Sequence, residues 1–167
     1  MQMMITGVVS RGYQFASGAA VGREKKPSPF SAGTIALQMP HFRDVGIDLE
    51  DMVPGLKLAT INLEIGNKVR LLRADYSARI DWTANEDERI DPEQFSFIRC
   101  CFIYKAGGPD VPYAYYPGLI YYPHPETKPT TNWHHFDKLE VLTQEVRGLA
   151  YGTPAAIACR SDAFEPF

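Results

Sequence analysis

Glycine and proline interrupt this chain so often that no long helix fits between them. The sequence holds thirteen glycines and thirteen prolines among 167 residues, spread over its whole length. Glycine weakens helix interiors and proline breaks them, whereas the segments between them are rich in valine, isoleucine, tyrosine and phenylalanine, which favour strands. The pattern therefore predicts a mainly β structure made of many short strands.

Apolar and alternating segments indicate eight strands and two short helices. A small sheet avoids exposed edges by closing on itself, so we expect an all-β fold, a small closed or nearly closed barrel with one or two short helices. The predicted strands cover residues 3–9, 34–39, 57–65, 68–74, 95–104, 119–122, 138–143 and 155–159, and the predicted helices cover residues 41–51 and 143–150.

Length and composition favour one domain spanning residues 1–167. Seventeen basic and twenty acidic residues give a net charge of -3, without the basic excess that binding to a nucleic-acid backbone needs. The N-terminus lacks a signal-peptide pattern and no apolar run reaches the length of a membrane span. We therefore expect a cytoplasmic protein with neither nucleic-acid nor membrane partners. Three cysteines without a CxxC pair indicate reduced thiols, and the oligomeric state is left open.

One predicted strand carries polar side chains on a single face. Residues 58–65 read L-A-T-I-N-L-E-I, and a strand's period of two puts Thr60 and Asn62 on the face opposite Ile61 and Leu63. One interpretation is that the polar face simply meets water. The other is that the Thr60 hydroxyl and the Asn62 amide oxygen are ligands of Mg²⁺, which accepts few protein ligands when substrate phosphates complete its shell.

Two of the predicted loops have the composition of a binding-site rim. Residues 11–32 contain a basic cluster, Arg23, Lys25 and Lys26, which suits contacts with phosphates. Residues 123–136 are rich in proline, threonine and histidine, and they include Trp133, whose ring can stack on a planar heterocycle. Glu140 follows in the next strand and can accept a hydrogen bond from a ring imide, although most strand glutamates are solvated.

With these segments in order, the chain resembles the archaeal CTP-dependent riboflavin kinases, a family of cradle-loop β-barrels. V-V-S ending at Ser10 is similar to the family's first strand, and G-T-I-A-L-Q-M-P-H-F beginning at Gly33 is similar to its G-x-x-x-L-S-L-P-x-Y. A-T-I-N-L is similar to G-T-L-N-L, and W-H-H-F-D-K-L-E-V-L is similar to Y-H-x-x-x-x-x-E-I-I. The family's compact glycine loop is enlarged here by an insertion between Ser10 and Gly33, so this chain would be a divergent member.

The resemblance implies Mg²⁺-dependent phosphoryl transfer from a nucleoside triphosphate, CTP in the family, to riboflavin or a similar hydroxyl compound. Carried over by position, the implied metal ligands are Thr60 and Asn62, the nucleotide contacts are Ser10, Gly33, Glu145, Val146, Arg147 and Gly148, and the flavin contacts are Thr131, Asn132, Trp133 and Glu140. Arg147 joins the basic cluster of the first loop as a candidate phosphate contact. The alternative is a non-catalytic ligand-binding or interaction module on the same barrel, because function belongs to sites and not to folds.

Overall fold

The computed structural model describes residues 1–11, 34–82, 92–127 and 136–167. Within them the chain forms nine strands and two short α-helices, with a 3-10 turn at Pro125–Thr127. In chain order these are β1 (Gln2–Ser10), α1 (Thr34–Asp44), α2 (Leu49–Met52), β2 (Leu56–Glu64), β3 (Val69–Leu71), β4 (Tyr76–Ile80), β5 (Glu93–Tyr104), β6 (Ala114–Pro123), β7 (Lys138–Gln144), β8 (Pro154–Arg160) and β9 (Phe164–Pro166).

Six antiparallel strands close into a barrel. They follow the order β5-β6-β7-β2-β1-β8, and β8 pairs again with β5, where Cys159 lies opposite Cys100. The twelve-residue β5 is longer than its partner β8, so its first half extends beyond the ring and carries β4 along one side. The predicted all-β fold, a small closed barrel with one or two short helices, is therefore confirmed.

Two hydrophobic clusters lie on the two sides of this sheet. The barrel interior is filled by fully buried side chains that include Leu63, Ile98 and Ile120. The second cluster lies between the outer face of β4–β7 and the two helices. There the Phe42 ring of α1 stands nearly perpendicular to the rings of Phe95 and Phe97, at centroid distances of 5.3 and 5.1 Å. Edge-to-face pairs of this kind contribute about 0.5–1.5 kcal/mol each beyond the area they bury.

The predicted strand at residues 34–39 is wrong, because these residues begin α1. Its buried residues Ile35, Gln38, Met39 and Phe42 follow a helical spacing of three to four, and the helix continues through Pro40. The predicted helix at residues 41–51 is accordingly wrong in its bounds. α1 ends at Asp44, and Gly46, two residues later, adopts a left-handed φ of 85°. A separate short helix, α2, follows.

The predicted helix at residues 143–150 is also wrong. β7 continues through Thr143, which pairs with Gly118 and donates a hydrogen bond of 2.8 Å to the Pro117 carbonyl. The chain then turns, and Gly148 has a left-handed φ of 71°, which an α-helix excludes. Two short strands, β4 and β9, were not expected from the sequence. No helix in the described part of the chain has the length and apolarity needed to cross a bilayer.

Candidate functional site

A row of polar side chains crosses β1, β2 and β7 on the outer face of the barrel. Ser10 lies opposite Asn62, and Asn62 lies opposite Glu140 on its other side. Directly opposed residues project from the same face of a sheet, and Thr60 shares that face because it is two residues from Asn62. On the other face Leu63 is completely buried in the barrel interior. The alternation expected for this strand is confirmed.

Three residues of this row, Ser10, Thr60 and Asn62, border a cavity of about 500 Å³. It opens between the end of β1, residues 57–62 of β2 and the turn that follows β7. Its lining comprises Val9, Ser10, Arg11, Lys57, Ala59, Thr60, Ile61, Asn62, Thr143, Gln144, Glu145, Val146, Gly148, Leu149 and Tyr151.

Two hydroxyl groups of the polar row, those of Thr60 and Ser10, can form further hydrogen bonds with a ligand. The Thr60 hydroxyl donates its only hydrogen to Oε1 of Glu140 at 3.1 Å, so its lone pairs remain available to a cation or a donor. The Ser10 hydroxyl oxygen is buried, and it has no hydrogen-bond partner among the described residues. An unpartnered buried hydroxyl costs about 1–3 kcal/mol, a cost that a ligand contact would remove.

The donor set suits a magnesium ion. Thr60 and Asn62 offer neutral hard oxygens two residues apart, and the Glu140 carboxylate lies beside them. Within the described ranges no group of three or more histidine, cysteine, aspartate or glutamate residues forms a metal site. Thr60 and Asn62 line the cavity, so their oxygens could contribute neutral ligands to a cation there.

Two basic side chains, Arg11 and Lys57, lie in the cavity wall. Lys57 Nζ is 3.7 Å from Oε1 of Glu145, and both side chains are more than half exposed. Ion pairs this exposed contribute at most about 1 kcal/mol, so an anionic ligand can exchange with the glutamate. The cavity thus presents positive charge next to its oxygen donors.

The turn after β7 is held in place from the barrel. The Tyr104 hydroxyl donates to the Gly148 carbonyl and accepts from the Ala150 N–H, both at 3.1 Å. The next residues are tied to β1, since the Gly152 N–H donates to the Val9 carbonyl at 2.8 Å. A Cβ on Gly148 would lie 2.9 Å from the Cβ of Ala106, so the turn also packs closely there. This wall of the cavity is therefore built before any ligand binds.

Helix α1 flanks the polar row on the side of β6. Tyr121 lies opposite Glu140, and its hydroxyl donates to Oε1 of the buried Gln38 of α1 at 2.9 Å. Burial, together with the negative charge of Glu140, raises the pKa of Tyr121 well above its ordinary value. The phenol therefore stays protonated and serves as a hydrogen-bond donor that fixes α1 against the sheet.

The structure brings most of the described sequence-predicted residues together. Ser10, Thr60, Asn62, Glu145, Val146 and Gly148 line the cavity, and Glu140 contacts Thr60. Arg147 is exposed on the same turn and is not in the lining. The remaining candidates lie outside the described residues: Gly33, Thr131, Asn132, Trp133, Arg23, Lys25 and Lys26.

Sequence reasoning missed Lys57 as a wall residue. Strict alternation groups Lys57 with Ile61 on the face predicted to form the core, yet both residues line the cavity. The pairing of β2 with β7 also shifts register between Leu56 and Thr60, and such an irregularity has no clear signal in a single sequence.

Comparisons of this chain with protein-family models, with curated proteins and with solved structures found no match.

Proposed function

We propose that this protein transfers a phosphoryl group, with Mg²⁺, from a nucleoside triphosphate to a hydroxyl of riboflavin or a similar small molecule. The resemblance to the archaeal riboflavin kinases suggests CTP as the donor and a cytoplasmic location. One observation carries the proposal. Three segments that are distant in the sequence meet in one cavity. The first ends in Ser10, the second contains Thr60 and Asn62, and the third runs from Glu145 to Gly148.

The wall of the cavity suits the triphosphate. Phosphoryl transfer needs positioning and charge neutralisation more than covalent chemistry from the protein. Thr60 and Asn62 would hold the metal ion, which when bound supplies neutralisation of the phosphate oxygens. Lys57 and Arg11 add positive charge beside them. The turn that begins at Glu145 would contact the rest of the nucleotide.

Glu140 would lie between the bound nucleotide and the bound riboflavin, the phosphoryl acceptor. Its carboxylate already accepts from Thr60, so a metal ligand and a flavin contact would share one hydrogen bond. A carboxylate has two oxygens with several lone pairs, which leaves capacity for a ring N–H. Thr131, Asn132 and Trp133 stay predicted as the other flavin contacts.

The test is product formation by the full chain. Riboflavin is incubated with CTP or ATP and Mg²⁺, and the phosphorylated flavin is separated by chromatography; a chelator of divalent cations should stop its formation. Asn62→Leu should abolish turnover, whereas Thr6→Val, at an exposed position on β1 outside the cavity lining, should not change it. Binding of nucleotide or flavin without product in the wild type would identify the non-catalytic binding module instead.

A further inference from the structure

A second polar network lies at the opposite end of the barrel, where β4 joins β5. Ser77 and Ser96 are directly opposed on these strands, and their hydroxyl oxygens are 2.7 Å apart. Ser96 Oγ is 2.7 Å from Nε2 of His124, and Nδ1 of His124 is 3.1 Å from Oε1 of Glu126. Four side chains therefore form one continuous chain of hydrogen bonds.

The acceptor at one end of this chain sets the direction of every bond. The ionised Glu126 carboxylate only accepts, so with a neutral imidazole the hydrogen lies on Nδ1, and Nε2 must accept from Ser96. Ser96 has one hydrogen and gives it to His124, so its contact with Ser77 uses the hydrogen of Ser77. The Ser77 hydroxyl therefore donates inward, which leaves its lone pairs for an outside electrophile.

The two serines of this hydrogen-bond network differ in burial, which decides which of them can meet a substrate. Ser96 is 1% exposed and cannot meet a substrate, whereas Ser77 is exposed on β4. The backbone of His124 is held in place on both sides. Its backbone N–H donates to the Gln94 carbonyl at 2.9 Å, and its carbonyl accepts from the Thr127 hydroxyl at 3.0 Å. A nucleophile, a relay, a base and an orienting carboxylate thus stand within hydrogen-bonding distance in order.

We propose that Ser77 is a nucleophilic serine, activated through Ser96 by His124 and oriented by Glu126, and that it attacks small activated carboxylic esters. Ser77 Oγ bonds to the carbonyl carbon as the π electron pair moves to oxygen; its proton passes to Ser96 while the Ser96 proton passes to Nε2. Collapse breaks the bond to the alcohol, which leaves with the proton from Nε2 returned through Ser96. Water then repeats the sequence on acyl-Ser77 and releases the acid.

The neighbouring residue Arg79 suits this chemistry. It lies two positions along β4 from Ser77, so both project from the same exposed face of the strand. A guanidinium on that face stabilises the negative charge that develops on the attacked carbonyl oxygen. Sites of this kind are recognised by geometry and roles, not by sequence position.

The test uses diisopropyl fluorophosphate, which labels activated serines by forming an O–P bond and releasing fluoride. The full chain is treated with the reagent, and the adduct is located by peptide mass spectrometry. We expect labelling of Ser77, its loss in Ser77→Ala, and a rate at least about 100-fold lower in His124→Asn, the range that general-base catalysis supplies. Ser161→Ala, at another exposed serine outside the network, is the matched control and should label like the wild type.

A second readout is hydrolysis of p-nitrophenyl acetate, which should follow labelling across the same variants. Circular dichroism melting identifies any variant that does not fold, and Ser77→Ala should melt like the wild type because Ser77 is exposed. Absence of an adduct on the folded wild-type chain, an adduct on Ser161 in place of Ser77, or equal labelling of Ser77→Ala would each overturn the proposal.

Discussion

At one end of the barrel the buried hydroxyl of Ser10 has no hydrogen-bond partner among the described residues, whereas at the other end Ser77 and Ser96 lie in an unbroken chain of hydrogen bonds. Both regions are built from the same sheet. The first keeps acceptor and donor capacity open beside a cavity, which suits binding of a ligand and a cation. The second pairs each group with its neighbour and ends at an exposed hydroxyl that keeps its lone pairs, which suits chemistry at one atom.

The two ends of the barrel also differ in how their charged side chains are paired. The cavity carries Arg11 and Lys57 in its wall, and Lys57 is only loosely paired with Glu145, at 3.7 Å. At the other end the ion pairs are closer, because Arg160 bonds both Asp75, at 3.0 Å, and Asp162, and so ties the start of β4 to β8. Charge at the cavity is therefore available to a ligand, and charge at the other end stabilises the strand that carries Ser77.

The largest expected effect comes from the close approach of β1 and β2. A Cβ on Gly7 would lie 2.2 Å from the carbonyl oxygen of Glu64, so Gly7→Ala must push apart the two strands that set Ser10 opposite Asn62. We expect a loss of about 1–3 kcal/mol in the free energy of unfolding in urea, the cost of overpacking. Gly108→Ala, whose Cβ would meet open space, is the control and should change stability by less than about 0.5 kcal/mol. Equal stability of the two variants would contradict this packing.

Substitutions at Glu140 test whether riboflavin, the proposed phosphoryl acceptor, binds beside the proposed metal ligands. Glu140→Ala should weaken riboflavin binding by about 1–3 kcal/mol, measured by quenching of flavin fluorescence, because a ring N–H would lose its acceptor. It also removes the acceptor of the Thr60 hydroxyl, so the Mg²⁺ dependence of nucleotide binding should weaken. Glu140→Gln keeps an acceptor oxygen for Thr60 and should preserve that dependence. Unchanged flavin affinity in both variants would exclude Glu140 from the acceptor site.

Lys57 and Glu145 should act in opposite directions on nucleotide affinity. If Lys57 contacts phosphate, Lys57→Met lowers the affinity about threefold to tenfold, an effect of about 1 kcal/mol that salt reduces. Glu145→Gln removes the competing carboxylate and should raise the affinity by a smaller factor. Isothermal titration with Mg²⁺ and CTP measures both, and changes of the same sign would show that the two side chains do not compete.

The smallest expected effect is on the melting temperature in acid, and it comes from an ion pair at the end of the barrel that carries Ser77. The hydrogen bond from Arg160, assisted by Arg73, lowers the pKa of Asp162 from 3.8 to about 2. A depressed carboxylate pKa contributes stability that is present above the unfolded value and is lost as the pH falls toward the folded value. The melting temperature should therefore fall between about pH 4 and pH 2, and Asp162→Asn should reduce that fall. An identical pH profile in the variant would contradict the role of this ion pair.

Local patterns predicted the strands well and the turns poorly. The alternation of β2 identified Thr60 and Asn62 on one face and Leu63 on the other, because a half-buried strand shows its period directly. The α1 segment failed because the prediction divided it between a strand at residues 34–39 and a helix at residues 41–51, whereas one helix runs through Pro40. The network of Ser77, Ser96 and His124 had no signal at all, since strand pairing alone brings these distant residues together.

The cavity beside Thr60 and Asn62 is proposed to bind a nucleotide together with Mg²⁺. The most direct measurement is the melting temperature with CTP, with and without Mg²⁺, for the wild type, Thr60→Val, Asn62→Leu and the exposed control Thr6→Val. Ligand at about 100 times its Kd should stabilise the wild type and Thr6→Val by about 2.7 kcal/mol, and only with Mg²⁺ present. The two cavity variants should fold and lose this Mg²⁺-dependent shift. A shift retained by both, or no shift with any nucleoside triphosphate in the wild type, would contradict the claim.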